Sequence, residues 1–318
     1  MTAPRTLVLT GASGYIGRHL HRRFTEDGWT VRTIGRSPRG RGAAAVDAAW
    51  DDDLTPVLDG ADALVNLAGR SVSCRYTKRT ADEILRSRTE TTKRLGLALA
   101  ACASPPPVWL NASTGTIYRD ARDRPQTEAA GELGTGFSVA VARAWEQELF
   151  DAPVDEARIR RVALRTSIVM GPGGALNPMV NLARMGFGGR QGDGGQMLSW
   201  IHIEDVHRAV RHLIDRPDLS GPVNLASPHP VTNREFMALT RARFGGLGTR
   251  LGLPLPAWSL EAGARIIRTE AELVLKSRWV APEKLLAGGF AFRFPHAAWA
   301  LDDIAAQTPS GLLPVQLG

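Results

Sequence analysis

Cysteine is nearly absent from this chain, which contains Cys74 and Cys102 and no other cysteine in 318 residues. Two isolated thiols, each without a second cysteine nearby, predict free thiols in a reducing compartment and argue against a disulfide framework or a zinc site. No run of about 18 apolar residues occurs, so no transmembrane helix is expected. The first residues show no basic leader followed by an apolar run. We therefore expect a cytoplasmic protein that does not span a membrane.

Lysine is also scarce, with four lysines among the 39 basic residues that give the chain a net charge of +7. The arginines are scattered along the whole length, and no recognised nucleic-acid-binding module is present. We interpret the charge as a solvated basic surface that partly serves the phosphates of a small ligand, with no nucleic-acid partner. The acidic run Asp51–Asp53 has no His or Cys beside it, so we predict no metal site.

Short apolar runs alternate with amphipathic stretches through the first half of the chain, as expected for βαβ units and a parallel sheet. The predicted strands are residues 6–10, 30–34, 63–67, 108–112 and 162–169, and the predicted helices are about 15–27, 81–103 and 139–150. Further along, a short strand at 201–203 passes into a helix capped by Asp205, a strand covers 223–226, and Thr232 opens another helix.

These elements predict the α/β class, with a Rossmann-type doubly wound parallel sheet and a smaller C-terminal α+β substrate domain. We expect the dinucleotide-binding domain over residues 1–170, with returning strands around 201–226. The substrate-binding region and C-terminal domain then cover 171–308, and a loose tail covers 309–318.

Three glycines, Gly11, Gly14 and Gly17, stand directly between the first strand and the first helix. The first allows a tight turn, the second lets a pyrophosphate approach the backbone, and the third lets helix and sheet pack closely. The pyrophosphate would then lie on the helix N-terminus. Four more residues of the turn are candidate cofactor contacts: Thr10, Ser13, Tyr15 and Ile16.

The end of the second strand distinguishes the two dinucleotides. NAD sites usually carry an acidic residue about 20 residues beyond the glycine turn, which bonds the ribose 2′-hydroxyl. No Asp or Glu occurs between Gly28 and Val46, and Arg36 and Ser37 stand in that region instead. A guanidinium suits a 2′-phosphate, so the sequence predicts NADP(H) as the cofactor.

Several strings resemble the extended short-chain dehydrogenase/reductase superfamily, and specifically its atypical epimerase-like branch with a C-terminal domain of unknown function. They are the glycine turn, Asn66–Ser71, Arg75–Thr77, Ser87-Arg88, Trp145-Glu146, Leu164–Thr166, Trp200–Asp205 and Pro282–Leu286. The resemblance covers residues 5–303 and implies an NAD-dependent epimerase/dehydratase type of protein. It implies that Leu67, Ala68 and Gly69 line the adenine ribose and diphosphate, and that Thr166 and Ile168 lie near the nicotinamide. Leu67 and Ile168 could equally be ordinary core residues.

The superfamily's usual catalyst is a tyrosine with a lysine four residues later, in which the lysine lowers the pKa of the phenol. No tyrosine of this chain has a lysine at that spacing, and Ser138 and Ala142 stand at the aligned positions. The candidate catalytic residues are therefore Ser113, Thr114, Tyr118 and His202. His202 could instead fix a loop beside Asp205.

The glycine-rich stretch 186–195 is predicted to form one wall of a substrate cleft, with Gly189, Gln196 and Trp200 as substrate contacts. A flexible connector is the alternative. The leading hypothesis is an NADP(H)-dependent oxidoreductase or epimerase-like enzyme acting on a small polar hydroxyl or carbonyl compound, as a monomer or homodimer. Two alternatives are a catalytically silent NADP(H)-binding sensor and a nucleotide-sugar epimerase or dehydratase.

Overall fold

The computed structural model describes residues 4–36, 46–245, 252–259 and 275–315. The strands are β1 (Thr6–Thr10), β2 (Thr30–Gly35), β3 (Ala48–Ala49), β4 (Ala63–Asn66), β5 (Val108–Thr114), β6 (Arg160–Thr166), β7 (Ile168–Met170), β8 (Met197–Leu198), β9 (Trp200–His202), β10 (Gly221–Leu225) and β11 (Val231–Thr232). The α-helices are α1 (Tyr15–Glu26), α2 (Thr55–Leu58), α3 (Lys78–Ala101), α4 (Phe137–Phe150), α5 (Asn177–Arg184), α6 (Ile203–Asp215), α7 (Asn233–Phe244), α8 (Glu283–Ala287) and α9 (Ala297–Gln307).

Seven strands form one parallel sheet in the order β10-β6-β5-β4-β1-β2-β3. Successive residues of a strand point to opposite faces, so Leu7 and Leu9 of β1 pack on one side while Val8 packs on the other. Helices α1 and α6 cover the first face, and α2, α3 and α4 contribute to the core on the second. The parallel sheet with helices on both faces confirms the predicted Rossmann-type fold.

The strand order reverses between β1 and β4, and a hydrogen-bonded chain of polar side chains joins the strand ends there. The Thr10 hydroxyl donates to Asn66 Oδ1 at 2.5 Å, and Asn66 Nδ2 donates to Asn111 Oδ1 at 2.5 Å. All three side chains are buried. Ligands of open α/β sheets bind at such a reversal, outside the carboxyl ends of the strands.

Two expectations for the elements need correction. The predicted strand 162–169 divides at Ser167, whose amide donates to Leu225 O, and β7 then pairs with β9 outside the main sheet. Helix α3 begins at Lys78 rather than near residue 81, because the Thr77 and Thr80 side chains form a reciprocal capping box.

Of the two predicted returning strands, the one at 223–226 is present as β10, which lies parallel to β6 at the edge of the main sheet, whereas the one at 201–203 is β9, which does not join that sheet. The expected loose tail is instead anchored within the described residues. Asn181 Nδ2 donates to Leu313 O at 2.9 Å, and Leu313 N donates back to Asn181 Oδ1 at 2.8 Å. Leu313 is buried against the cluster that contains Trp200.

Candidate functional site

A cleft of about 460 Å³ opens at the carboxyl ends of the central strands. Its lining brings together four of the predicted segments: Gly11 with Gly14–Gly17, Leu67 with Gly69, Ser113 with Thr114, and Thr166. These residues are far apart in the chain, and the parallel sheet brings them together because each segment lies at, or directly after, the carboxyl end of a strand.

The glycine turn has no room for side chains. Gly11 has φ +67°, and a Cβ there would lie 2.6 Å from Leu67 O. A Cβ on Gly17 would lie 2.1 Å from Gly11 O, which is backbone and has no rotamer to change. Helix α1 begins after Gly14 with no side-chain cap, which leaves its first amides to another acceptor. Such a turn fits a pyrophosphate on the helix N-terminus.

Five of the predicted cofactor residues within the described ranges do not line the cleft: Thr10, Ser13, Ala68, Ile168 and Arg36. Thr10 and Ala68 link the ends of β1 and β4, because the Thr10 hydroxyl accepts from the backbone amides of Leu67 and Ala68 at 3.1 Å each. Ser13 is exposed, and its carbonyl accepts from Arg18. Ile168 packs against the Trp200 cluster, the core role that the sequence left open.

Arg36 is exposed and follows β2 on the same sheet edge as the glycine turn, since Ile34 pairs with Thr10. Ser37 lies outside the described residues. The first carboxylate further along the chain, Asp47, is engaged by β2: its Oδ2 accepts from Thr33 N at 2.6 Å and from the Thr33 hydroxyl at 3.0 Å. Arg36 therefore lies at the sheet edge that carries the glycine turn, although it is not among the residues that line the cleft.

The two positions aligned with the superfamily's Tyr and Lys, Ser138 and Ala142, both line the cleft from α4. They are four residues apart and therefore share one helix face. The cleft offers there one hydroxyl and no amine. The Tyr76 ring lies beside them, tilted against Phe137 at a centroid distance of 4.8 Å.

Ser113 connects the cleft to a buried ionic network. Its hydroxyl donates to Glu146 Oε1 at 2.6 Å, and Arg165 donates to both oxygens of the same carboxylate at 2.8 and 2.7 Å. Burial opposes the charge of Arg165, but the hydrogen bonds and the charge of Glu146 raise the pKa of its guanidinium on balance. The Ser113 proton is therefore held by Glu146, and its lone pairs remain for a ligand donor.

Tyr118 does not reach the described wall of the cleft, which corrects its candidacy as a catalytic phenol. Its hydroxyl donates to Asn224 Oδ1 at 2.9 Å and accepts from Arg165 Nη1 at 2.9 Å. Burial raises the pKa of this phenol, although Arg165 opposes the change. The 3₁₀ turn Gly115–Ile117 separates Tyr118 from the Thr114 strand end.

His202 likewise lies elsewhere, at the N-terminus of α6. Its Nδ1 accepts from Glu204 N at 3.3 Å, so His202 caps α6 in place of the expected Asp205. Asp205 instead accepts from the amides of Arg293 and Phe294. Burial lowers the pKa of His202 to about 4. The ring lines a separate polar cavity of about 440 Å³ and has the structural role that the sequence left open.

The expected substrate contacts form a packed layer rather than a wall of the described cleft. Trp200 is fully buried, and its indole donates to His229 O at 3.2 Å. Gln196 Nε2 donates to Gln191 O at 2.9 Å. Gly189 N donates to Leu253 O at 3.1 Å, and a Cβ on Gly189 would lie 2.2 Å from Gly252 O. The glycine-rich loop thus serves close backbone packing against residues 252–255.

Two cleft residues, Tyr76 and Arg88, were not assigned a role from the sequence. Both stand in strings that carried the family resemblance, and that was the available signal. Neither follows a strand directly, so the rule that places functional residues at strand ends does not select them. Within the described ranges, no His, Cys, Asp and Glu residues group as a metal site, and no helix is long and apolar enough to cross a bilayer.

Two family models and several relatives together match nearly the whole chain. The NAD dependent epimerase/dehydratase family matches residues 7–226, and a domain of unknown function (DUF1731) matches residues 255–304. Epimerase family protein SDR39U1 of Homo sapiens is 30% identical over 94% of this chain and 99% of the relative. Epimerase family protein MT2273 of Mycobacterium tuberculosis is 33% identical over 91% of this chain and 94% of the relative. These matches confirm the resemblance inferred from the motifs.

The fold has a solved counterpart with a nucleotide. The crystal structure of human SDR39U1 with NADPH has a TM-score of 0.82 at 29% identity, covering 95% of this chain and 99% of that chain.

Proposed function

The chain belongs to the NAD-dependent epimerase/dehydratase family, and on that basis we propose that it is an NADP(H)-dependent oxidoreductase or epimerase-like enzyme. The substrate would be a small polar molecule with a hydroxyl or carbonyl centre. The nicotinamide, when bound, would supply or accept the hydride. The chain's own residues would bind the substrate, orient it and exchange a proton with it.

One observation carries the proposal: a single cleft joins the glycine turn to a cluster of hydroxyls. Gly11 and Gly17 leave a backbone cradle that any Cβ would fill, and Ser113 and Thr114 line the same space. A protein that only stored the dinucleotide would have little need of hydroxyls further along the cleft. This juxtaposition favours a substrate beside the cofactor.

Ser113 and Thr114 have complementary hydrogen-bonding states. Ser113 gives its proton to Glu146 and can accept from a substrate hydroxyl. Thr114 Oγ1 accepts from Thr116 N at 3.1 Å, so its own O–H can donate to a substrate oxygen. Together they would orient a hydroxyl or carbonyl group, while Ser138 stands where the superfamily keeps its phenol. We assign Ser113 and Thr114 to substrate binding and proton handling.

Arg36 supports NADP(H) rather than NAD(H), because its exposed guanidinium follows β2 and the nearby Asp47 is occupied by Thr33. The relative of known structure, human SDR39U1, was crystallised with NADPH, which agrees with this choice.

Titration of protein fluorescence with NADPH and NADH tests the cofactor assignment. We expect tighter binding of NADPH, by about tenfold or more, because one charge-assisted hydrogen bond contributes about 1.5–3 kcal/mol. Arg36→Ala should weaken NADPH binding to the level of NADH and leave NADH unchanged. Arg86→Ala is the matched control, since Arg86 is exposed on α3 and pairs with Glu90. Equal affinities in the wild type would contradict the role of Arg36.

A second function has one specific observation in its favour. Ala142 occupies the lysine position of the dyad inside the cleft, so the usual device for lowering the phenol's pKa is absent there. This favours a catalytically silent NADP(H)-binding sensor. Single-turnover mixing separates the two: bound NADPH is mixed with small aldehydes and ketones, which can accept a hydride, and bound NADP+ is mixed with nucleotide sugars, whose hydroxyls can give one. Loss of NADPH absorbance in the first set or its gain in the second supports the enzyme, and complete inertness across both sets supports the sensor.

A further inference from the structure

Arg88 is held in a fixed position on one wall of the cleft. Its Nη1 donates to Ile84 O at 2.9 Å, and its guanidinium carbon lies 5.0 Å from the centre of the Trp145 ring. The ring is fixed in turn, because the Trp145 indole donates to Thr92 Oγ1 at 3.0 Å. The guanidinium is therefore positioned before any ligand arrives.

This cation has no acidic partner within the described ranges. Arg70, its neighbour on the same cleft wall, pairs with Glu83, and the buried Arg165 pairs with Glu146, whereas no described carboxylate lies within 4.0 Å of Arg88. Burial lowers the pKa of the Arg88 guanidinium to about 10. A partly desolvated charge without a counter-ion is costly, and an anion bound in the cleft would relieve that cost.

The location of Arg88 indicates which part of the cleft it serves. Its guanidinium carbon would lie 3.2 Å from a Cβ on Gly69, while a Cβ on Gly11 would lie 2.6 Å from Leu67 O. Arg88 and the glycine turn therefore both approach the short segment Leu67–Gly69 that follows β4. An oxyanion at the uncapped start of α1 would lie within the space that both line.

We propose that Arg88 is an oxyanion-binding residue of the cleft, which takes phosphoryl oxygens by the two-pronged hydrogen bonding that a guanidinium provides. The oxyanion is the diphosphate of the dinucleotide or a phosphate or carboxylate on the substrate. The inference rests on the proposed function for its ligand and extends it by a residue and a ligand chemistry. It assigns a binding role to a side chain on the middle of α3, outside the strand ends.

The test compares Arg88→Gln with the matched control Arg86→Gln on the same helix. If Arg88 holds the cofactor's diphosphate, Arg88→Gln weakens NADPH binding about 10- to 100-fold and weakens inorganic pyrophosphate binding to the free protein in parallel. If it holds a substrate anion, NADPH binding is unchanged. Pyrophosphate binding to the NADPH-saturated protein is then lost. Either result supports the proposal, and Arg86→Gln should match the wild type in both assays.

A second measurement uses the unaltered protein, in case Arg88→Gln folds poorly. Phenylglyoxal modifies accessible arginines, and peptide mass spectrometry reads the modification of Arg88 and Arg86 separately. Pyrophosphate or NADPH should protect Arg88 and leave Arg86 reactive. The proposal is overturned if neither ligand protects Arg88, or if a folded Arg88→Gln binds both ligands as the wild type does. If the wild-type protein does not bind NADPH but pyrophosphate protects Arg88, the proposed cofactor is contradicted while the oxyanion site is supported.

Discussion

Arg165 makes three hydrogen bonds inside the protein, two to the Glu146 carboxylate and one to the Tyr118 phenol. Both ionic side chains are about nine-tenths buried, with 9% and 10% of their surface exposed. Removing one partner from a buried ion pair leaves the other charge without compensation. The network therefore stabilises the fold behind the cleft, and Ser113 is the residue hydrogen-bonded to Glu146 that also lines the cleft.

Arg165→Met should lower the free energy of unfolding by about 3–5 kcal/mol, measured by urea denaturation. Glu146→Leu should cost a similar amount, and the double variant should recover much of the loss because no buried charge is then unpaired. Tyr118→Phe should cost about 1–2 kcal/mol and leave NADPH affinity unchanged. A Tyr118→Phe protein with normal stability and no turnover would contradict the structural role given to Tyr118.

The sequence correctly predicted that Gly11 and Gly17 form a turn without room for side chains. A Cβ on Gly17 would clash with Gly11 O of the same turn, and a Cβ on Gly11 would clash with Leu67 O, directly after β4. The sequence could not place Tyr118, although the residue follows Ser113 closely. The partner that holds its phenol is Asn224, 106 residues further along the chain. A contact of that range depends on β10 joining the sheet beside β6, which no local pattern reveals.

Helix α6 begins with a buried histidine, and this makes its stability depend on pH. The pKa of His202 is about 4 in the folded protein, against an ordinary value of 6.5. The unfolded chain therefore binds the proton more readily between these values, so stability is complete above pH 6.5 and is lost as the pH falls toward 4. Protonation would also turn Nδ1 into a donor facing the Glu204 amide, and the cap would be lost.

The prediction compares wild type with His202→Asn, which keeps a good capping side chain but does not titrate. Between pH 7 and pH 4 the wild type should lose about 3 kcal/mol more than the variant, because the pKa of His202 is about 4 when folded against an ordinary 6.5 and a tenfold change in proton affinity corresponds to about 1.4 kcal/mol. Urea denaturation at a series of pH values measures the difference. Parallel profiles for the two proteins would show that His202 is not the titrating group.

Helices and strands whose ends are determined by neighbouring residues in the sequence were predicted well. Features that depend on contacts with residues far away in the chain were not. Strand β1 and helix α1 begin where the sequence placed them. The break at Ser167 was missed because apolar residues stand on both sides of the polar run Arg165–Ser167, and the pairing of β7 with β9 reveals it. The sequence predicts a loose tail over residues 309–318, yet Asn181, buried on α5, holds Leu313 by two hydrogen bonds.

At the scale of the whole molecule, the cleft follows from the topology. Strand order reverses between β1 and β4, so the loops after these strands diverge and leave space at their carboxyl ends. The glycine turn lies on one side of that space, and α3 and α4 contribute Arg88 and Ser138 to the other. The topology therefore brings the glycine turn, Arg88 and Ser138 to one cleft.

The structure of this chain with bound NADPH tests the account most directly. We expect the diphosphate at the Gly11–Gly17 turn, the 2′-phosphate toward Arg36, and the nicotinamide facing an open pocket that holds Thr114 and Ser138. A cofactor bound outside the cleft would contradict the assignment of the site. A nicotinamide sealed by apolar side chains, with no space beside Thr114, would contradict hydride transfer to a substrate.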